Sequence, residues 1–247
     1  LPDGRQVALG NEKEQDTAWM KYVEACTIES KATTEPADIK IEVARGGEYK
    51  IRLEDGTTVW LNSESSLIYP EKFTGDKRAV RLSGEGYFEV ARDEKKPFIV
   101  SVTDMEIKVL GTKFNVTAYQ DEKMTTTTLI SGAVEVVTPH RSVQLQPGKQ
   151  AMVQEGGDDI TVLEVDVELA TSWTAGIFKF DKMALTDICT RLSRWYDIDF
   201  VFEGETGKEK FTGGTWKYVP LKDFLSKIER VTNVLFLFEN NTVKVVP

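Results

Sequence analysis

Between Asp55 and Ala118 apolar and polar residues alternate in short runs, each closed by a turn signal. Val59 and Leu61 alternate with Thr58 and Trp60, Val80 and Leu82 with Ala79 and Arg81, and Phe88 and Val90 with Tyr87, Glu89 and Ala91. Phe98, Val100 and Val102 alternate with Ile99 and Ser101, and Val109, Phe114 and Val116 follow. A period of two puts one set of side chains on one face of a sheet, so these runs predict half-buried strands. Asp55-Gly56, Thr74-Gly75-Asp76, Ser83-Gly84-Glu85-Gly86, Lys96-Pro97 and Leu110-Gly111-Thr112 supply the breaks expected between antiparallel strands. Breaks about every ten residues favour a sandwich, barrel or wound β structure over a βαβ sheet.

The flanking residues extend this pattern. Ile39 to Val43 and Tyr49 to Leu53 alternate on either side of an Arg45-Gly46-Gly47-Glu48 turn. From Lys13 to Asp38 no period is sustained, which predicts a loop or an irregular strand, with Trp19, Tyr22 and Val23 covering the core edge. Leu1 to Glu12 resembles Leu53 to Glu64 at an offset of 52, a repeated turn-and-strand unit that hints at a wound architecture. Downstream, Thr125 to Ile130 and Ala133 to Val137 flank Ser131-Gly132 as a predicted hairpin, and Val143 to Leu145, Ala151 to Val153 and Ile160 to Val165 close the β region.

The periodicity then changes. Leu185, Ile188, Leu192, Trp195 and Tyr196 follow helical spacing after Asp181, an expected N-cap. The same unit returns at an offset of 36: Leu221, Phe224 and Ile228 match Leu185, Ile188 and Leu192, while Val234, Phe236 and Phe238 match Ile198, Phe200 and Phe202. Pro220 is expected at the first helical position. The tail therefore reads as a duplicated βαβ half with a last strand from Thr242 to Val246. The predicted fold is mainly β plus α+β: a wound or sandwich-like all-β domain over 1–167, then a small duplicated βαβ domain over 168–247.

Forty acidic against 31 basic residues give a net charge of -9, which disfavours binding to nucleic acid. The two cysteines, Cys26 and Cys189, lack metal-ligand spacing and are expected to be free thiols. The one histidine, His140, sits in a predicted surface turn, so a zinc site or Cys-His pair has little to work with. No nucleophile elbow or phosphate cradle occurs. The Gly156-Gly157-Asp158-Asp159 loop lacks the oxygen spacing of a calcium loop, and Asp158-Asp159 and Asp197-Asp199 read as solvated acids rather than a glycosidase pair. No catalytic residue, metal or cofactor is expected. The chain starts at Leu1 and holds no apolar run long enough to span a bilayer, so any membrane segment is expected upstream.

Five ordered blocks carry a family resemblance: DGTTVWLNSESSLIYP, LSGEGYFEVARDEKKPFIV, VLGTKFNVTAY, TTLISGAVEV and LQPGKQA. They resemble the periplasmic domain of FecR-type anti-sigma regulators of Bacteroidetes-like bacteria. The run WTAGIFKFDKMALTDICTRLSRWYDIDFVFEG is similar to the secretin/TonB short N-terminal type of domain that follows in these regulators, with a departure around Gly204 to Lys217. What the resemblance implies is a full-length protein crossing the inner membrane once. Its cytoplasmic segment, absent here, would hold an extracytoplasmic-function sigma factor, and its periplasmic region would contact the N-terminal signalling domain of a TonB-dependent outer-membrane transducer.

A docking expectation follows from the residues. Thr242, Val243, Lys244, Val245 and Val246 form a short, terminal, β-branched strand, expected at a sheet edge where a partner could add a strand. Lys244 serves equally as a charge that blocks such pairing. Two other functions are open to this sequence: a secreted carbohydrate-binding β module, with Trp60, Tyr87 and Phe88 lining a groove, and a glycoside hydrolase.

Overall fold

The structure is a computed structural model that describes residues 7–8, 26–30, 38–103 and 105–247. Trp19, Tyr22, Val23 and most of the 1–12 repeat lie outside the described residues. The chain divides into two compact units, Leu1–Ala170 and Thr171–Pro247.

The first unit is built of β1 (Val7–Ala8), β2 (Cys26–Ser30), β3 (Asp38–Val43), β4 (Tyr49–Arg52), β5 (Thr58–Leu61), β6 (Ser65–Pro70), β7 (Arg78–Glu89), β8 (Phe98–Val102), β9 (Met105–Val109), β10 (Lys113–Ala118), β11 (Met124–Ser131), β12 (Val134–Val137), β13 (Ser142–Leu145), β14 (Lys149–Gln154) and β15 (Ile160–Glu164). One sheet runs β1-β2-β3-β6-β7-β8-β9-β12-β13 and the other β4-β5-β7-β10-β11-β14-β15. All pairs are antiparallel except β7 with β8. The alternating apolar residues of both sheets meet in one core, where Phe88 stacks on Phe114 at 5.0 Å and approaches Phe98 at 6.4 Å. Val59, Leu61, Phe88, Phe98, Val100, Phe114 and Val116 are fully buried, as the period of two requires.

Strand β7 belongs to both sheets. Its first half pairs with β6 and β8, and its second half with β5 and β10. The expected break at Ser83-Gly84-Glu85-Gly86 is therefore no break; it is the crossing point of one continuous strand. Gly84 takes φ +91°, and a Cβ there would lie 2.4 Å from Ser65 Oγ and 2.7 Å from the Ser65 backbone. Glycine bends the strand and admits β6 against it, the role of a glycine inside a strand rather than at its end.

A second correction concerns Ser131-Gly132. Strand β11 pairs with β10 and β14, whereas β12 pairs with β9 and β13, so the two do not form a hairpin. The chain steps here from one sheet to the other, and Thr112 Oγ1 holds the step by donating to the Ala133 carbonyl at 2.9 Å.

One buried ionic group fastens the turns. Arg78 lies 2.7 Å from the Asp55 carboxylate and donates to the carbonyls of Ala91 (2.8 Å) and Lys96 (2.9 Å). Thr57 Oγ1 donates to the same carboxylate at 2.7 Å and accepts from the Ala91 amide at 3.1 Å. The β4–β5 turn, the start of β7 and the segment leading to β8 are thus tied to one guanidinium.

Helix α1 (Val167–Thr171) spans the end of the first unit, and the second opens with a 3-10 turn (Ser172–Ala175) and β16 (Ile177–Ala184). The rest of the second unit is α2 (Leu185–Tyr196), β17 (Asp199–Phe202), β18 (Lys210–Trp216), α3 (Leu221–Glu229), β19 (Leu235–Glu239) and β20 (Thr242–Val246). The duplication is visible in its order: strand, helix, strand, repeated once and closed by β20. Matched positions also share burial, with Ile188 and Phe224, Cys189 and Leu225, and Leu192 and Ile228 all turned into the core. The first strands of the two halves, β16 and β18, pair with each other.

Two expected caps are displaced. Asp181 lies within β16, where its carboxylate accepts from Thr212 Oγ1 at 3.1 Å, and Ala184 is the N-cap of α2. The α2 amides of Leu185 and Thr186 are instead satisfied by the carbonyls of Glu209 and Gly207. Pro220 is the N-cap of α3 rather than its first residue, and its carbonyl accepts from Asp223 and Phe224.

Candidate interaction surface

The strand expected at an edge is at the centre. In the three-stranded sheet β17-β20-β19, β20 pairs in parallel with β17 (Phe200 with Val243, Phe202 with Val245) and antiparallel with β19 (Leu237 with Lys244, Phe238 with Val243). Thr242, Val243, Lys244, Val245 and Val246 therefore offer no open backbone to an added strand. One neighbour, β19, is its hairpin partner across Asn240-Asn241; the other, β17, comes from ahead of α3, and that long-range pairing is what a sequence-local reading does not contain. Lys244 is not an edge residue either: it stands mid-sheet and pairs with Glu239 at 2.8 Å, and this hydrogen bond followed by the Glu239 charge raises its pKa.

The two faces of this sheet differ. Val243 and Val245 are fully buried, and Phe236 is buried with them. The opposite face carries Val201, Leu235 and Leu237, which are 48%, 51% and 47% exposed, with the Lys244–Glu239 pair between and beside them. Leu235 and Leu237 neighbour each other on β19, and Val201 lies across Lys244 from them, so this face exposes apolar side chains around one ion pair. Strand β19 is the sheet's edge on the α3 side, and Phe238 on it is 37% exposed under the Lys222 ammonium at 5.0 Å.

Within this unit lies a lysine among aromatic rings. Lys217 is 1% exposed, with Nζ 3.8 Å from the Trp195 ring centroid, 5.6 Å from Phe178 and 5.8 Å from Trp173. Its carbonyl accepts from Trp195 Nε1 at 2.7 Å and from the Tyr196 hydroxyl at 3.0 Å. Burial pushes the Lys217 amine well below the usual lysine range. Cys189, buried on α2, is a free thiol whose pKa burial raises.

The remaining candidates do not assemble into a reaction centre. Tyr87 is 8% exposed and packs on half-buried Trp60 at 5.1 Å, and Lys50 Nζ stands over the Trp60 ring at 4.0 Å. Phe88 is wholly in the core. The stacking faces a sugar would need are thus already occupied. His140 faces Asp158 at 3.7 Å and Arg141 faces Asp159 at 3.2 Å, so the two acids of that loop answer neighbouring side chains. Asp197 ends α2 in the left-handed conformation. Two open grooves of about 410 and 580 Å³ occur on the first unit, and none of Asp158, Asp159, Asp197 and Asp199 lines either. Among the described residues no cluster of three or more His, Cys, Asp or Glu could hold a metal, and no helix is long and apolar enough to cross a membrane.

The described residues form a two-sheet β unit followed by a duplicated α+β unit with apolar side chains exposed on one sheet face. Comparison with known proteins makes this specific. The FecR protein family profile matches residues 39–135, and the FecR, C-terminal profile matches residues 177–245. A crystal structure from Parabacteroides distasonis, provisionally assigned as an anti-sigma factor, is 31% identical, with a TM-score of 0.78, 83% of this chain covered and 97% of that chain. A second structure so assigned from that organism is 30% identical, again with a TM-score of 0.78, covering 85% and 98%. No curated protein matches. The chain belongs to the FecR family of anti-sigma regulators, a regulatory and not an enzymatic family.

Proposed function

We propose that this chain is the signal-receiving region of a transmembrane anti-sigma regulator, lying on the periplasmic side of the inner membrane. It contacts the N-terminal signalling domain of a TonB-dependent outer-membrane transducer, and a cytoplasmic segment of the same protein controls an extracytoplasmic-function sigma factor. The observation that carries the reading is the family match in both units, together with 31% identity over 97% of a crystallised chain provisionally assigned as an anti-sigma factor. The exposed face of Val201, Leu235 and Leu237 supports a protein as the ligand. Transmission requires that affinity for the transducer differ between its loaded and unloaded states, since equal affinity shifts nothing.

The glycan-binding reading loses its platform where Lys50 and Tyr87 cover Trp60. Calorimetric titration of the 247-residue chain with the isolated signalling domain of the cognate transducer tests the proposal. Saturable binding is expected; a folded chain and folded domain that release no heat and do not co-elute would sink it.

A further inference from the structure

The open side of β19 is not bare. In the antiparallel pair, Leu235, Leu237 and Glu239 stand opposite Val246, Lys244 and Thr242. On its other side β20 gives the Asn241 and Val245 carbonyls to the amides of Asp199 and Glu203. Odd positions of β20 therefore serve β17 and even ones serve β19, and Phe236 and Phe238 direct their backbone groups away from the sheet. The Phe236 amide donates outward, to the Glu229 carboxylate at 2.9 Å. A side-chain oxygen from the last turn of α3 thus occupies the position that the carbonyl of an added strand would take.

We propose that the open edge of β19 receives an extended strand of a different protein, with alternating apolar residues and a basic residue beside them, and that Glu229 is the place-holder this strand displaces. The inference deepens the relay reading and rests on it for the partner being another protein. Charge selects the occupant. Two copies of this chain joined edge to edge about a twofold axis would bring both Glu229 carboxylates to one seam between bodies of net charge -9 each. A basic strand instead meets the released carboxylate with a charge-assisted bond. Backbone bonds to Phe236 and Phe238 hold such a strand, and Leu235, Leu237 and Val201 continue the face its side chains join.

The test uses the whole chain, isotope-labelled, titrated with the synthetic peptide Lys-Lys-Thr-Val-Thr-Val-Thr-Val-Lys-Lys and with its counterpart in which glutamate replaces each lysine. Saturable binding of the lysine peptide is expected, with exchange of the Phe238 amide slowed about tenfold or more and the glutamate peptide about tenfold weaker. In Glu229→Gln, which keeps the acceptor and loses the charge, the two peptides should bind more nearly alike. Unchanged Phe238 exchange at saturating peptide overturns the proposal, as does equal binding of both peptides to the native chain. A dimer of the chain alone with Phe238 already protected overturns it too, because the edge is then a seam between copies. If the peptide seats on β19 and the transducer domain does not bind, the relay reading falls and this edge stands.

Discussion

Two buried basic residues show how far single residues set the behaviour of this protein. Arg78 is held by Asp55 and two carbonyls with its side chain 3% exposed, and truncating it leaves the carboxylate enclosed without a counter-charge. Arg78→Met is expected to lower the stability of the first unit by about 3–5 kcal/mol, read as a shift in the urea midpoint at unchanged slope. Arg78→Lys should recover only part of this, since one ammonium cannot reproduce the planar fork on three acceptors. Lys217 behaves oppositely. Its ammonium is disfavoured by burial, although the Trp195 ring 3.8 Å away favours the charged form; loss of hydration for a group this enclosed is the larger effect. With the folded pKa below the unfolded one, the unfolded chain binds more protons between the two values, so stability rises with pH through that interval towards the usual lysine pKa. The melting temperature of the native chain should therefore climb relative to Lys217→Met as pH rises from 7 towards 10; parallel curves would show that the amine is not depressed. Neither residue announces itself in sequence, because a lysine or arginine in an alternating run reads as a solvated position.

At the scale of elements, the alternation predicts most strands of the first unit, though not β6 or the unbroken length of β7, and the offset of 36 predicts the order of the tail's helices and strands. What local pattern cannot carry is pairing. Ser83-Gly84-Glu85-Gly86 has the composition of a turn, yet the same glycines let β7 bend from one sheet to the other, and only the position of Ser65 across the strand distinguishes the two uses. Gly84→Ala puts a methyl group into both the side chain and backbone of Ser65, besides straining a positive φ, and is expected to cost about 3 kcal/mol or more. Gly148→Ala, at φ +85° with nothing within 4 Å, carries the backbone strain alone and should cost about 1 kcal/mol. Equal losses from the two would show that contact with Ser65 is not the reason for glycine at 84. The central place of β20, expected at an edge, has the same origin. The β-branched composition of β20 is legible, but its two partners are supplied by β17 and β19, and the open edge falls to the Leu-Phe-Leu-Phe run beside it.

For the whole molecule, the second unit closes its own core around Leu185, Ile188, Leu192, Phe224, Leu225, Ile228, Val243 and Val245. Expressed alone, residues Thr171–Pro247 are expected to melt in one cooperative transition by circular dichroism; a broad, featureless melt would show that this core needs the first unit. The first unit has the contrary property. Because β7 lends one half of its length to each sheet, neither layer can loosen while the other keeps its hydrogen bonds. A force or a binding event felt on one side of that body is passed on whole, as a shift of a stiff object. In the relay proposed above, the give must then lie outside it, as on a rod whose motion is all in its joints.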